Sequence, residues 1–281
     1  MSRIGGACMI IDAHVHIGTM GAFHMPQEML LESMDKYKID YCLVSNIEAQ
    51  EFDGNLQLIP AKIQIDQVTV LKNTLEFARK NPNRIGVLVW IKPYGEVVTE
   101  ELENLIAENI DIIFGLKVHP FSSKTAMDDP KMEPYIELAR KFQFPIVAHT
   151  GGCEEAEPIH MWNAAKKHPD VNFIMAHMGL GSDNQEAIRL LSTLPNLYGD
   201  TAWVSTESTI QAMKEAGSHK MLFGSDNPID GVDTYHHNPK GEIHVYQSYF
   251  HELEGQIGKE AYENLMFRNT LRMFPRIPIN V

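Results

Sequence analysis

From Met9 to about Pro275, short apolar runs rich in β-branched residues alternate with longer amphipathic stretches. The runs Ile10–His16, Tyr41–Ile47, Ile85–Lys92, Ile112–His119, Pro145–Thr150, Asn172–His177, Leu197–Ala202 and Met221–Asp226 predict strands. Between them, Ile65–Lys80 puts Ile65, Val68, Leu71, Leu75 and Ala78 on one face, and Asp183–Leu194 does the same with Ala187, Ile188, Leu191 and Leu194. Both stretches predict helices lying on a sheet, the second capped by Asp183. Strand and helix in regular alternation are the signature of a parallel sheet covered by helices, and eight such units in about 250 residues predict an α/β chain forming one closed (β/α)₈ TIM barrel. The barrel is expected over residues 9–281 as a single domain, behind an N-terminal extension, residues 1–8, expected to be disordered. An open doubly wound sheet would carry a glycine-rich phosphate loop after its first strand. Here that place holds Asp12-Ala13-His14-Val15-His16, and no GxGxxG or GxxxxGK[ST] pattern occurs.

Charge narrows the choice of partner. The 24 Lys plus Arg stand against 37 Asp plus Glu, a formal charge of −13 that repels nucleic-acid phosphates and anionic lipid and leaves small molecules as the expected ligands. Cys8, Cys42 and Cys153 are too few and too scattered for a disulfide framework or a thiolate metal site. With no apolar run of about 18 residues and no signal-peptide core, a cytoplasmic homo-oligomeric enzyme is the expectation.

In a barrel the chemistry gathers at the C-terminal ends of the strands. His14 and His16 stand there on the first strand, His119 on the fourth, His149 on the fifth, His177 on the sixth and Asp226 on the eighth. Side chains alternate along a strand, so His14 and His16 share the face opposite Ala13 and Val15 and can grip one metal ion from the barrel mouth. Lys117 and His119 also share a face, inside a run apolar enough to be buried, where an ammonium can meet a substrate carboxylate or a developing oxyanion. None of the arginines falls at a predicted strand end, so no bidentate anion clamp is visible. The turns Gly151-Gly152 and Gly179-Leu180-Gly181-Ser182 read as tight backbone. The long connections Glu48–Gln64 and Asn227–Gly241 are expected to shape the pocket, with His236 and His237 in a solvated loop.

Four segments, Ile11-Asp12-Ala13-His14-Val15-His16, Ala148-His149-Thr150-Gly151, Ala176-His177-Met178-Gly179 and Phe223-Gly224-Ser225-Asp226-Asn227-Pro228, together resemble the amidohydrolase superfamily. The resemblance extends from Met9 to about Phe274 and is nearest to the amidohydrolase-related branch that includes aminocarboxymuconate-semialdehyde decarboxylase-like enzymes. It implies a divalent metal held by His14, His16, His149 and Asp226, one zinc per chain or else manganese, with His177 close by as a catalytic group and Asp226 as ligand, base or both. A second metal would require Lys117 to be carboxylated as a bridge; the Gly115-Leu116-Lys117-Val118-His119-Pro120 run resembles the branch in which one metal is usual.

The resulting expectation is a metal-dependent hydrolase that uses metal-activated water on an amide or ester bond, open or cyclic, of a small carboxylated substrate bound by Lys117 and His119. The alternative keeps barrel and metal and makes the enzyme a non-oxidative decarboxylase. Two readings stand further back. A deoxyribonuclease-like relative would need a bridging glutamate where Lys117 stands, and a silent metabolite-binding barrel would have lost a ligand position.

Overall fold

The computed structural model describes residues 8–233 and 245–279. Eight parallel strands form in the predicted order: β1 (Ile11–Met20), β3 (Tyr41–Asn46), β4 (Ile85–Trp90), β5 (Ile113–Val118), β6 (Ile146–Gly151), β7 (Phe173–Leu180), β8 (Leu197–Asp200) and β9 (Met221–Leu222). The helices α1 (Gln27–Tyr37), α2 (Gln67–Lys80), α3 (Glu100–Glu108), α4 (Pro120–Ser123), α5 (Glu133–Phe142), α6 (Pro158–Lys167), α7 (Gln185–Leu191) and α8 (Thr206–Ala216) connect them, and helical turns from Val245 to Met273 follow. Strands β3 to β6 are buried at every residue, as a sheet packed on both faces requires. α2 shows why the outer layer forms. Asp66 caps it by accepting from Thr69 N at 2.8 Å, worth about 1 kcal/mol, and Val68, Leu71, Leu75 and Ala78 are buried as the periodicity requires. Burying Leu71 and Leu75 contributes roughly 1.5–3 kcal/mol each.

The barrel closes between its first and last strands. The β9 ladder stops at Leu222, not at Asp226: Phe223 N already donates to Leu265 O, and Asp226 itself takes a left-handed φ of 64° that a regular ladder does not accept. The chain nevertheless continues beside β1: Ala13 N donates to Phe223 O at 2.9 Å, Asp226 N to His14 O at 2.8 Å and His16 N to Asn227 O at 2.9 Å. This seam sets the His14-x-His16 pair against Asp226.

Three local expectations are corrected. A short strand β2 (Phe23–Met25), absent from the sequence reading, folds back antiparallel on the end of β1. β7 runs three residues past His177, through left-handed φ at His177, Met178 and Gly179. The helix expected from Asp183 begins at Gln185 with left-handed Asn184 at the cap position, while the Asp183 carboxylate accepts only from Gln185 N at 3.1 Å. Residues 1–7, and with them most of the expected extension, lie outside the described residues, as do His236 and His237.

Candidate metal centre

The alternation of β1 brings His14 and His16 to the barrel mouth, and the seam brings Asp226 to them. His16 Nε2 lies 2.9 Å and His14 Nε2 3.3 Å from Asp226 Oδ1, and the two Nε2 atoms are 3.1 Å apart. All three side chains are buried. Among the described residues these three form the group whose ligand atoms lie close enough together, within 4.8 Å of one another, to share one ion.

Neighbouring groups decide which electron pairs point inward. His14 Nδ1 donates to Asp200 Oδ2 at 2.7 Å, which leaves a lone pair on Nε2. His16 Nδ1 meets Ser45 Oγ at 2.9 Å, and a proton held there exposes the lone pair of its Nε2 in the same way. Burial, reinforced by the nearby Lys117 charge, pushes the His14 pKa well below its ordinary value, so the imidazole is neutral. Burial raises the Asp226 pKa, but a hydrogen bond from His16 and the positive charge that His177, His14 and His16 would carry when protonated outweigh it and hold the carboxyl well below the usual carboxylate range, a preference for a positive partner that an ion would meet in place of those protons. Two imidazole lone pairs and a carboxylate oxygen thus converge on one point, and a divalent cation is the partner that satisfies all three. The residues present fit a metal.

The remaining candidates surround this point. Lys117 is fully buried and its Nζ donates to His14 Nε2 at 2.8 Å, so a solvent-exposed lysine is excluded. Burial brings its pKa down to about 8. His149, expected as a fourth ligand, stands beside the cluster but outside it: its Nε2 donates to Gly151 O at 3.1 Å, and its ring stacks on His119 at 3.9 Å. His177 lies with its ring 4.7 Å from that of His149 and 5.0 Å from that of His14. Its Nδ1 donates to Ala202 O at 3.1 Å, so the proton-free nitrogen is Nε2, and burial lowers its pKa to about 4.

Over the cluster opens a cavity of about 370 Å³ lined by His16, His119, His149, His177 and Asp226 together with apolar side chains that include Phe52, Trp90, Phe121, Leu180 and Trp203. Lys117 is not among the lining side chains. Trp90, His119 and His149 stack in one column with interplanar angles of 12° and 14°, so one wall is a flat, ring-built surface.

Several functional contacts were not foreseen. Asp200 orients His14 through Oδ2 and accepts from His177 N at 2.9 Å and Ala202 N at 3.1 Å through Oδ1. Asp12 accepts from Ser225 N at 3.0 Å and from the Ser225 hydroxyl, which fastens the residue before Asp226 to β1. Gly224 leaves the space His14 needs, since a Cβ there would sit 2.8 Å from His14 Cβ. Gly151, at φ 102°, lets β6 pass the Leu180 backbone so closely that a Cβ would come within 2.2 Å of Leu180 N.

A barrel with two histidines from its first strand and an aspartate after its last, all facing an apolar mouth, defines a class of metal-dependent barrel enzymes. The amidohydrolase family model matches residues 11–276, and the chain belongs to that family. A comparison with curated proteins gives no match. Among solved structures, the chain is similar to 2,6-dihydroxybenzoate decarboxylase in complex with 2,6-dihydroxybenzoate, at 16% identity and a TM-score of 0.69 over 95% of this chain and 99% of the other. It is also similar to 5-carboxyvanillate decarboxylase from Novosphingobium aromaticivorans with bound manganese, at 9% identity and a TM-score of 0.72 over 95% and 97%. A third similar structure is a probable 2-pyrone-4,6-dicarboxylic acid hydrolase from Acinetobacter baumannii, at 13% identity and a TM-score of 0.63 over 95% and 99%. At these identities the likeness carries the fold.

Proposed function

We propose that the chain is a metal-dependent hydrolase that cleaves an amide or ester bond, open or cyclic, in a small carboxylated substrate. The observation that carries the reading is the convergence of His14 Nε2, His16 Nε2 and Asp226 Oδ1 at the floor of an apolar cavity. These residues would hold one ion, zinc in the first instance and manganese as the alternative, with His149 turning in as a further ligand. When bound, the ion supplies Lewis acidity, polarising a substrate oxygen and lowering the pKa of water. Asp226, kept ionised, is the base that takes the proton from the attacking water and returns it to the leaving group. His177, neutral and with Nε2 free of a proton, is suited to relay that proton rather than to donate to a carbonyl. Lys117 supplies positive charge beside His14 Nε2, the nitrogen that faces the other donors, and His119, stacked between Trp90 and His149, lines the cavity beside the substrate. The cavity walls exclude water, which strengthens each of these interactions.

Decarboxylation is the second reading, favoured by the aromatic side chains that line the cavity, among them Trp90, Phe52 and Phe121, and by the aromatic carboxylates on which two of the similar structures act. In it Asp226 or His177, both proton-free toward the pocket at rest, would first take up a proton from solvent or from an acidic hydroxyl of the substrate and then deliver it to carbon as carbon dioxide leaves. The metal-loaded enzyme is to be assayed against a panel of lactones, carboxylated amides and hydroxybenzoates, with carbon dioxide measured beside acid release. Acid release without carbon dioxide supports hydrolysis, and stoichiometric carbon dioxide replaces it with decarboxylation. If every substrate is inert with one ion per chain bound, both readings fail.

A further inference from the structure

The connection between β3 and α2 carries Phe52 on the pocket wall, and a side chain next to it does something unusual for a surface loop. Glu51 is 1% exposed, although the surrounding segment is polar and crosses the barrel rim. A buried carboxylate costs stability unless its oxygens find donors. Here both do: Oε1 accepts from Gly95 N at 2.6 Å and Oε2 from Tyr94 N at 3.2 Å, both on the connection after β4. The Glu51 backbone reaches a third connection, since Glu51 N and Phe52 N donate to Ser122 O at 3.1 and 2.8 Å, beside Phe121 on the opposite side of the wall. Its carbonyl closes its own loop by accepting from Ile59 N at 2.8 Å.

The loop that Glu51 grips is anchored in turn. Lys92, 2% exposed, donates from Nζ to Ile65 O at 2.7 Å and pairs with Glu96 Oε1 at 3.0 Å, while Glu96 Oε2 accepts from Gln67 N at 3.1 Å. Tyr94 meets Phe52 edge to face at 4.8 Å. Three successive βα connections therefore meet at one residue, and Phe52 faces the cavity from the position after it.

We infer that Glu51 is a positioning residue that clasps the connections after β3, β4 and β5 together and so fixes the Phe52–Phe121 wall of the substrate cavity. It touches neither the metal donors nor the reacting atoms, so its effect falls on substrate binding and not on the chemical step. The inference concerns the pocket of the hydrolase reading and rests on it for its kinetic consequence, whereas the clasp itself has a readout that needs no turnover.

The test compares wild type, Glu51→Gln and Glu51→Ala as metal-loaded full-length proteins. Amide hydrogen exchange read by mass spectrometry should show peptides spanning 50–60, 93–97 and 119–123 exchanging about tenfold faster in Glu51→Ala, with peptides of β1 and β7 unchanged. Glu51→Gln keeps one acceptor oxygen and should recover most of the protection. With any substrate the wild type turns over, Glu51→Ala should raise KM about tenfold at nearly constant kcat and bind the same number of ions per chain. Unchanged exchange in both variants overturns the clasp. Faster exchange with unchanged KM overturns the control of the pocket. If the wild type has no activity, the hydrolase reading fails while the exchange experiment still decides the clasp; if Glu51→Ala does not fold, Glu51→Gln decides it, because its single acceptor oxygen should leave one of the Tyr94 and Gly95 amides less protected than in wild type and the other as protected, and both amides unchanged overturn the clasp.

Discussion

The Asp200→Asn substitution isolates the orientation of His14 from everything else in the site. Asp200 divides its work between two oxygens: Oδ1 accepts from His177 N and Ala202 N, and Oδ2 accepts from His14 Nδ1 at 2.7 Å. An asparagine retains Oδ1 for the two backbone amides, so β7 and β8 stay joined, but it turns an N–H toward His14 Nδ1. Two donors then face each other unless His14 moves its proton to Nε2, the nitrogen that faces Asp226 and His16. The substitution thus removes one inward lone pair with almost no change in volume. Loss of such a supporting contact typically costs 10–100-fold in metal affinity, about 1.4–2.7 kcal/mol. The assay is competition for zinc against a chromophoric chelator at pH 7.5, with thermal unfolding of the metal-free proteins run in parallel. An affinity within twofold of wild type would refute the tautomer argument. A large fall in melting temperature of the metal-free variant would show instead that Asp200 holds the fold and not the donor atom.

The other expectations concern charge. Asp226→Asn should lower kcat by about 10²–10⁴-fold, with metal content measured on the same samples to separate lost base from lost ligand; a fully active variant removes Asp226 from the mechanism. Lys117→Met keeps an unbranched side chain one atom shorter and deletes the donor to His14 Nε2, and it should retain one ion per chain while kcat falls about 10–100-fold. Loss of metal in that variant would mark Lys117 as a carboxylated bridge. Glu51 provides a pH prediction: burial raises its pKa to about 7, with the hydrogen bonds from the Gly95 and Tyr94 amides and then the Lys92 charge opposing the rise and Glu96 adding to it. The folded state therefore takes up this proton before the unfolded one, and stability from this group grows as pH falls from about 7 toward the ordinary carboxylate value near 4.5, by at most about 3 kcal/mol. Glu51→Gln should lose that slope in melting temperature between pH 5 and 8, and an unchanged slope would show that Glu51 titrates normally.

What the sequence made legible followed from period and position. Alternation with a period of two puts His14 and His16 on one face, whereas Asp226 and His149 enter the donor set through the motif resemblance; the structure brings the first three together and leaves His149 outside the group. Burial of Lys117 was likewise readable from the apolar run around it. The contacts that tune these residues were not readable, because they join distant parts of the chain. Asp200 meets His14 across 186 residues, Ser225 meets Asp12 across 213, and Glu51 meets Gly95 across 44. Each lies in a segment whose local pattern has an ordinary reading: a strand end, a first-strand acid, a polar loop. β2 escaped for a different reason, since Phe23-His24-Met25 is too short to show a period and exists only by pairing with β1.

The same contrast explains why the site and its supports respond differently to substitution. His16, a proposed donor, is specified by its own strand, so replacing it should remove a ligand of the proposed site and leave the barrel intact. Asp12 and Asp200 are specified by the closure of the sheet: one holds Ser225 to β1 at the seam, and the other links β7 and β8 to His14. Metal affinity is therefore coupled to the integrity of the seam, because Asp226 Oδ1 meets His16 Nε2 at 2.9 Å only while the Phe223–Asn227 backbone runs beside β1. An ion that binds the folded seam and not the unfolded chain stabilises it by mass action. Chelation should accordingly increase hydrogen exchange first at Ala13, His16 and Asp226, whose amides cross the seam, and leave the β4–β6 ladder protected. Uniform exchange across both regions would mean that the barrel opens as a whole and that the seam has no separate stability for the metal to support.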